Sequence, residues 1–276
     1  MATAAEAIRR NGIFSEWLSF LTQVLIAISF EVADDLGRGL VAQHGGAIGN
    51  ANALSIVSFE KAHDLWVEPG WQLFFEHAHR FLIVIVTWPE SMRIMNAIYV
   101  GGHIFVTLGV ALWLFVYRRR AFVFMRNAII FTNLFALFIY ERFPVAPPRL
   151  TMGLIWNGHP FTFQDTVFGV SSAHLLGAQA GYNELSAMPS VHMGWAILDS
   201  ASLLIWARPV AVKMLGVLYP LLMLVAVVVT GNHYLLDVIV AVFVVVAAAL
   251  AARGLETFLG RLRSAHAHPC LDLRRV

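Results

Sequence analysis

The sequence predicts an all-α fold, a polytopic membrane helical bundle of about six transmembrane helices, and three observations predict it. The 276 residues are 59 % hydrophobic and only 13 % charged, with a mean hydropathy of +0.70, far more apolar than an ordinary soluble domain. The apolar residues gather into runs close to the roughly 20 residues that cross a bilayer core. Lysines and arginines sit at the ends of those runs rather than in one patch, which suits a topological role, and a net charge of +2 is too small to argue for nucleic acid.

The first run, about 15–34, follows Arg9 and Arg10 and ends in Glu31, Asp34 and Asp35. It has no small-residue cleavage pattern and reads as an uncleaved first span. A long stretch follows, with Gly45-Gly46, Asn50, Asn52 and Pro69 among Trp66, Trp71, Phe74 and Phe75, a mixture that suits an interfacial segment. Phe81 to Trp88 is too short to cross and stops at Pro89. The remaining spans are 92–117, 122–141, 188–206, 209–230 and 233–253. An even number places both termini on one side, and 13 of the 19 lysines and arginines then fall there, including Arg118, Arg119 and Arg120. The positive-inside rule makes that side cytoplasmic. The expectation is an integral protein of the plasma (inner) membrane with cytoplasmic termini. With no internal repeat, the economical reading is one membrane-embedded domain over 1–276, core motifs within 142–237 and a basic cytoplasmic tail at 254–276. Cys270 is the single cysteine, which excludes an intramolecular disulfide framework and a multi-cysteine metal site.

Three blocks carry the chemistry, and each lies at the predicted non-cytoplasmic face. In Gly231 to Asp237, His233 and Asp237 are four apart, so on a helix they share a face. A carboxylate there can fix the imidazole tautomer and leave the other ring nitrogen as nucleophile or base. Alone, the pair is as readily two polar groups satisfying one another at a helix end. In Met188 to His192, Pro189 fits a helix start, Ser190 supplies a hydroxyl, and His192 falls in the first turn of another span. In Arg142 to Arg149, the prolines hold a stiff extended backbone between two guanidiniums, which are suited to phosphate oxygens. Arg142 is also placed to snorkel as a span-end anchor. A zinc site would want three or four close ligands, and only His192, His233 and Asp237 converge. Phosphoryl transfer through a covalent phosphohistidine, with no metal or cofactor, is the better reading.

The three blocks, in this order and with spans between them, resemble the type 2 phosphatidic acid phosphatase superfamily, and within it the branch of inositol-phosphorylceramide synthases. Arg142 and Arg149 match a basic residue, six residues, then Arg. Met-Pro-Ser-Val-His at 188–192 and His-Tyr-Leu-Leu-Asp at 233–237 match that branch. Leu150 stands where the phosphatase pattern has Pro, and Ala226 and Val227 stand where it has Ser-Arg. The missing arginine favours the synthase-like branch and leaves Arg142, Arg149, Ser190 and backbone amides near His192 to hold the phosphoryl charge. The resemblance implies that His233 attacks phosphorus in a lipid phosphate or phospholipid, His192 protonates the leaving oxygen, and Asp237 orients His233. Hydrolase and transferase then differ only in the acceptor. A transporter or proton relay is the alternative of another class, and the clustering of the blocks at one face argues against it.

Among other polar residues, Trp156, Asn157, His159, Asp165, His174, Tyr182 and Asn183 in the 150–187 loop read as an interfacial cover. Asn96 and His103, seven apart, share a predicted helix face, as do Arg126, Asn133 and Tyr140, and interhelical hydrogen bonding is the expectation for both sets. Asp199 has no partner identifiable from sequence. Glu60, His63, Glu76, His77 and His79 receive no catalytic role. The expected partners are a lipid substrate and the membrane, and no oligomeric state follows from these features.

Overall fold

The computed structural model describes residues 46–77, 88–167 and 185–267, together with Leu21. The predicted span 15–34, apart from Leu21, and the short piece 81–88, apart from Trp88, lie outside the described residues. So do His79, His174, Tyr182, Asn183 and Cys270.

Two helices precede the bundle, α1 (Gly46–Ala62) and α2 (Glu68–His77). The second predicted span is one rod made of α3 (Trp88–Ala97), a π-helical turn (Ile98–Gly102) and α4 (His103–Tyr117). Only Arg118 separates it from α5 (Arg119–Arg142), and its non-helical backbone (φ −148°, ψ 58°) ends one helix and starts the next. A 3-10 turn (Pro148–Leu150) and a small hairpin, β1 (Ile155–Trp156) against β2 (His159–Pro160), follow. Helices α6 (Val191–Trp206), α7 (Val210–Val229) and α8 (Leu235–Ala267) complete the bundle.

Four of these segments are long and apolar enough to cross a membrane: Ser91–Tyr117, Arg119–Arg142, Val210–Val229 and Leu235–Leu262, while Val191–Trp206 is apolar but shorter. The protein is an all-α polytopic bundle. Helix ends follow local chemistry. At the start of α6 the Ser190 hydroxyl oxygen accepts the Met193 N–H at 3.3 Å, a side-chain N-cap. The sequence places that start at 188, but Pro189 lies before the cap. Helix α6 stops at Ala207, ahead of Pro209, because the residue before a proline is pushed out of the helical region.

Helix α6 packs along α7, and α8 packs along α5 and α6. The α6–α7 approach needs Gly216, where a Cβ would come 3.1 Å from that of Leu203. Tyr99, Met193, Ala196, Met223, Ala226, Val227 and Val238 form one apolar core cluster. Outward-facing Leu215, Leu218, Leu222, Phe243 and Leu250 remain exposed, as lipid-facing side chains should. Within this core Asp199 finds its partner: Thr107 of α4 donates to its Oδ2 at 2.7 Å. Asn133 of α5 likewise accepts from the Trp195 indole at 3.0 Å.

Candidate active site

The end of α5, the start of α6, the end of α7 and the start of α8 meet at one end of the bundle, and backbone hydrogen bonds stitch their loops together. Val145 donates to the Leu185 carbonyl at 2.8 Å, and Ala187 donates back to Val145 at 3.2 Å. The Arg149 N–H donates to Gly231 O at 2.9 Å, and the Ser190 N–H to Asp237 O at 3.2 Å. Each of the three sequence blocks is therefore held to another through the main chain, so the side chains start from fixed positions.

The turn after α7 is a Schellman motif. Gly231 N–H donates to Val228 O at 3.0 Å and Asn232 N–H to Val227 O at 3.2 Å, with Gly231 at φ +69°, the left-handed conformation such a C-cap uses. A Cβ at 231 would also sit 3.3 Å from that of Arg149. Gly231→Ala is expected to cost about 1–2 kcal/mol in backbone conformation alone, read as a lower unfolding midpoint in detergent, and to reduce turnover by displacing Arg149.

His233 lies in this turn, two residues before α8 begins, rather than on the helix. The expected face-sharing with Asp237 therefore takes another form. The His233 Nδ1–H donates to the Ala187 carbonyl at 2.7 Å, while Asp237 Oδ2 is 3.6 Å from Nδ1, an ion-pair separation beyond hydrogen bonding. That same Oδ2 accepts the Tyr234 N–H at 2.8 Å. Asp237 thus occupies the third helical position and reaches back to the N-cap amide, as the acid of a capping box does. The Ala187 bond places a proton on Nδ1, and Nε2 is buried and without a hydrogen-bond partner among the described residues.

His192 faces His233, with ring centroids 5.8 Å apart. Tyr99 stacks on the His192 ring at 4.2 Å, and His103 meets it edge-on at 4.3 Å. The His103 Nδ1–H donates to Tyr99 O at 2.9 Å. The expected common face of Asn96 and His103 is split by the π-helical turn between them, an insertion typical of functional sites. Asn96 instead bonds Thr166, its amide donating to the backbone carbonyl at 2.5 Å and its oxygen accepting the hydroxyl at 3.0 Å.

The two arginines part company. Arg149 is buried, and its Nε donates to Asn232 Oδ1 at 2.9 Å and its Nη1 to Asp165 Oδ2 at 3.0 Å, beside the His233 turn. Arg142 is exposed at the end of α5, its guanidinium 5.1 Å from the Phe138 ring centroid. Ser190 is buried near His192 and spends its oxygen on the α6 cap. Ala226 and Val227, which replace the Ser-Arg of the phosphatase pattern, are fully buried in the apolar cluster, so this site is built without that guanidinium.

Sequence reasoning missed Tyr99 and the close placement of His103, because a π-helical insertion leaves no hydropathy signal. It missed Asp165 as partner to Arg149, since loop contacts have no periodicity. It also missed two glutamates. Glu60 Oε1 accepts the Leu236 N–H at 2.7 Å and Glu68 Oε1 the Leu235 N–H at 2.6 Å, at the very start of α8. Among the described residues, no group of three or more His, Cys, Asp or Glu side chains is arranged to hold a metal ion.

No curated protein matches the chain. Among solved structures, the crystal structure of Aquifex aeolicus LpxE aligns with 67 % of this chain and 92 % of its own, at 15 % identity and a TM-score of 0.44. A family profile described as the PAP2 superfamily matches residues 65–251, which takes in all three blocks and the spans from 92 into the last one. The chain belongs to the PAP2 superfamily and is an integral membrane enzyme of the lipid phosphatase class.

Proposed function

We propose that the protein transfers a phosphate-bearing headgroup from a phospholipid, or a phosphoryl group from a lipid phosphate, to an alcohol acceptor through a phosphohistidine on His233. The observation that carries this reading is the placement of His233: Nδ1–H committed to the Ala187 carbonyl at 2.7 Å, and Nε2 buried with no hydrogen-bond partner among the described residues. Such an imidazole is poised as a nucleophile.

In the first half-reaction Nε2 forms a P–N bond as the P–O bond to the leaving group breaks, and His192 supplies the proton to the departing oxygen. The phosphorylated ring keeps its Nδ1 proton and becomes cationic, which Asp237 Oδ2 stabilises from 3.6 Å. Arg149 holds phosphoryl oxygens with charge-assisted hydrogen bonds, supported by Ser190 and the amides at the start of α6. Arg142, exposed at the end of α5, is placed to meet a headgroup on its way in. In the second half-reaction His192 removes the acceptor's proton, the acceptor oxygen attacks phosphorus, and the P–N electron pair returns to Nε2. The synthase-like acceptor follows from the motif resemblance and from the apolar residues at 226 and 227.

Arg118, Arg119 and Arg120 lie at the opposite end of the bundle from His192 and His233. With that end cytoplasmic, the site opens to the non-cytoplasmic face of the plasma membrane, the termini are cytoplasmic, and 1–276 forms one domain.

The test uses purified protein with a panel of labelled lipid phosphates and phospholipids, with and without alcohol acceptors. Label is expected on the alcohol, with little inorganic phosphate released in water alone, and His192→Ala is expected to lose the product. Release of inorganic phosphate in water at an undiminished rate would assign the protein to the hydrolases instead.

A further inference from the structure

We propose that Glu60 and Glu68 are a positioning pair: sharing one proton, they cap the helix that carries Asp237 and thereby hold the His233 turn in its reactive geometry. The inference rests on the catalytic role proposed for that turn. Helix α8 caps only its N-cap amide from within, through Asp237, and leaves the next two amides to other partners. Its N-cap residue is Tyr234, whose hydroxyl is engaged with Thr151 at 2.7 Å, whereas α6 has Ser190 for this purpose. The N–H groups of Leu235 and Leu236, unpaired within any helix start, are instead taken by carboxyl groups from 167 and 176 residues away.

Glu60, Glu68 and Asp237 are all fully buried. Two ionised carboxylates offer four acceptors and no donor. The Oε1 atoms take the two amides, and Glu60 Oε2 and Glu68 Oε2 find no donor among the described residues. Because their Oε1 atoms sit on the amides of adjacent residues, the two carboxyls are held side by side, and a single proton between the Oε2 atoms satisfies both groups and halves the buried charge. Burial, and then the neighbouring Glu68, push the Glu60 carboxyl up to about 9, and burial lifts Glu68 to about 7. The titratable groups facing the pair, among the described residues, are Tyr234 and Asp237. Adjacent Lys61 directs its ammonium to Ile155 O and His63 its ring to Phe59 O. No cation among the described residues therefore competes for the shared proton. Raised carboxyls keep their protons in the folded protein, so the stability the pair contributes is greatest in acid and falls as pH rises from the ordinary 4.5 toward about 9. Beyond that the proton is lost and two buried anions oppose one another.

The experiment compares kcat, KM and pH profiles of the full-length protein carrying Glu60→Ala, Glu60→Gln, Glu60→Gln with Glu68→Gln, or His233→Asn. Glu60→Ala is expected to lower kcat about tenfold or more by loosening the turn, with little change in KM. Glu60→Gln, whose amide accepts from Leu236 and donates to Glu68 at every pH, is expected to rescue kcat and to abolish the alkaline limb near pH 9. The double amide places donor against donor however each is turned, and is expected to lose activity again. A Glu60→Gln profile with the alkaline limb unchanged would overturn the shared proton, and this variant carries the test even if the alanine variant fails to fold. A folded Glu60→Ala enzyme with wild-type kcat would overturn the positioning role. Either result with inactive His233→Asn leaves the catalytic role of the turn standing, whereas an active His233→Asn enzyme removes that role first.

Discussion

Replacing His233 with Asn is expected to lower turnover by about four orders of magnitude or more, because it removes the buried Nε2 that has no hydrogen-bond partner among the described residues and takes away the ring that faces His192. Asparagine keeps a donor near the Ala187 carbonyl and adds no bulk, so the loops tied together by Val145, Ala187 and Arg149 should remain in place. Binding of a lipid phosphate, for which Arg149 is the proposed anchor, is expected to persist. Acid-labile incorporation of labelled phosphorus into the wild-type protein, absent from the His233→Asn variant, reports the covalent intermediate directly. Turnover within tenfold of wild type would remove the phosphohistidine mechanism, and movement of an unmodified lipid without any chemical product would favour the transporter class.

Changing Arg149 should have the next largest effect. Its guanidinium bridges Asn232 at 2.9 Å and Asp165 at 3.0 Å, a planar fork aimed along the His233 turn. Lysine offers one compact ammonium and cannot hold both contacts in that plane. Arg149→Ala is expected to reduce kcat/KM by about 10²–10³, and Arg149→Lys to recover only part of it. Steady-state kinetics on the best substrate of the panel decide the matter; an alanine variant within threefold of wild type would show that phosphate is held elsewhere, with exposed Arg142 the first place to look.

Much of the bundle is legible in hydropathy. The spans read at 92–117, 122–141 and 209–230 match helical rods to within a few residues, because an apolar run of that length has few other stable states in lipid. Helix starts are less legible. Ser190 announces α6, but Pro189 does not begin it. Hydropathy carries His233 into α8, whereas the Schellman turn around Gly231 delays the first helical residue to Leu235. The spacing of His233 and Asp237 is visible in sequence, yet their relation is not: the Ala187 carbonyl, 46 residues away, holds the ring. In sequence Arg142 differs from Arg149 only as a span-end residue placed to snorkel, and it is the fold that buries Arg149 against Asn232 and leaves Arg142 over Phe138. Glu60 and Glu68 are illegible for the same reason, since a long-range cap has no local pattern.

The π-helical turn at Ile98–Gly102 gives this span a discontinuity of phase. Each residue of an α-helix advances about 100° around the axis, so one inserted residue turns the preceding segment by about that amount relative to the segment after it. One rod can then serve two clients in different directions, Thr166 through Asn96 and His192 through His103, which an uninterrupted helix would have to place on a single side. The span is consequently tolerant of which apolar residue faces lipid but intolerant of length: gaining or losing one residue between 98 and 102 would leave its hydropathy untouched and rotate one of the two contacts out of register.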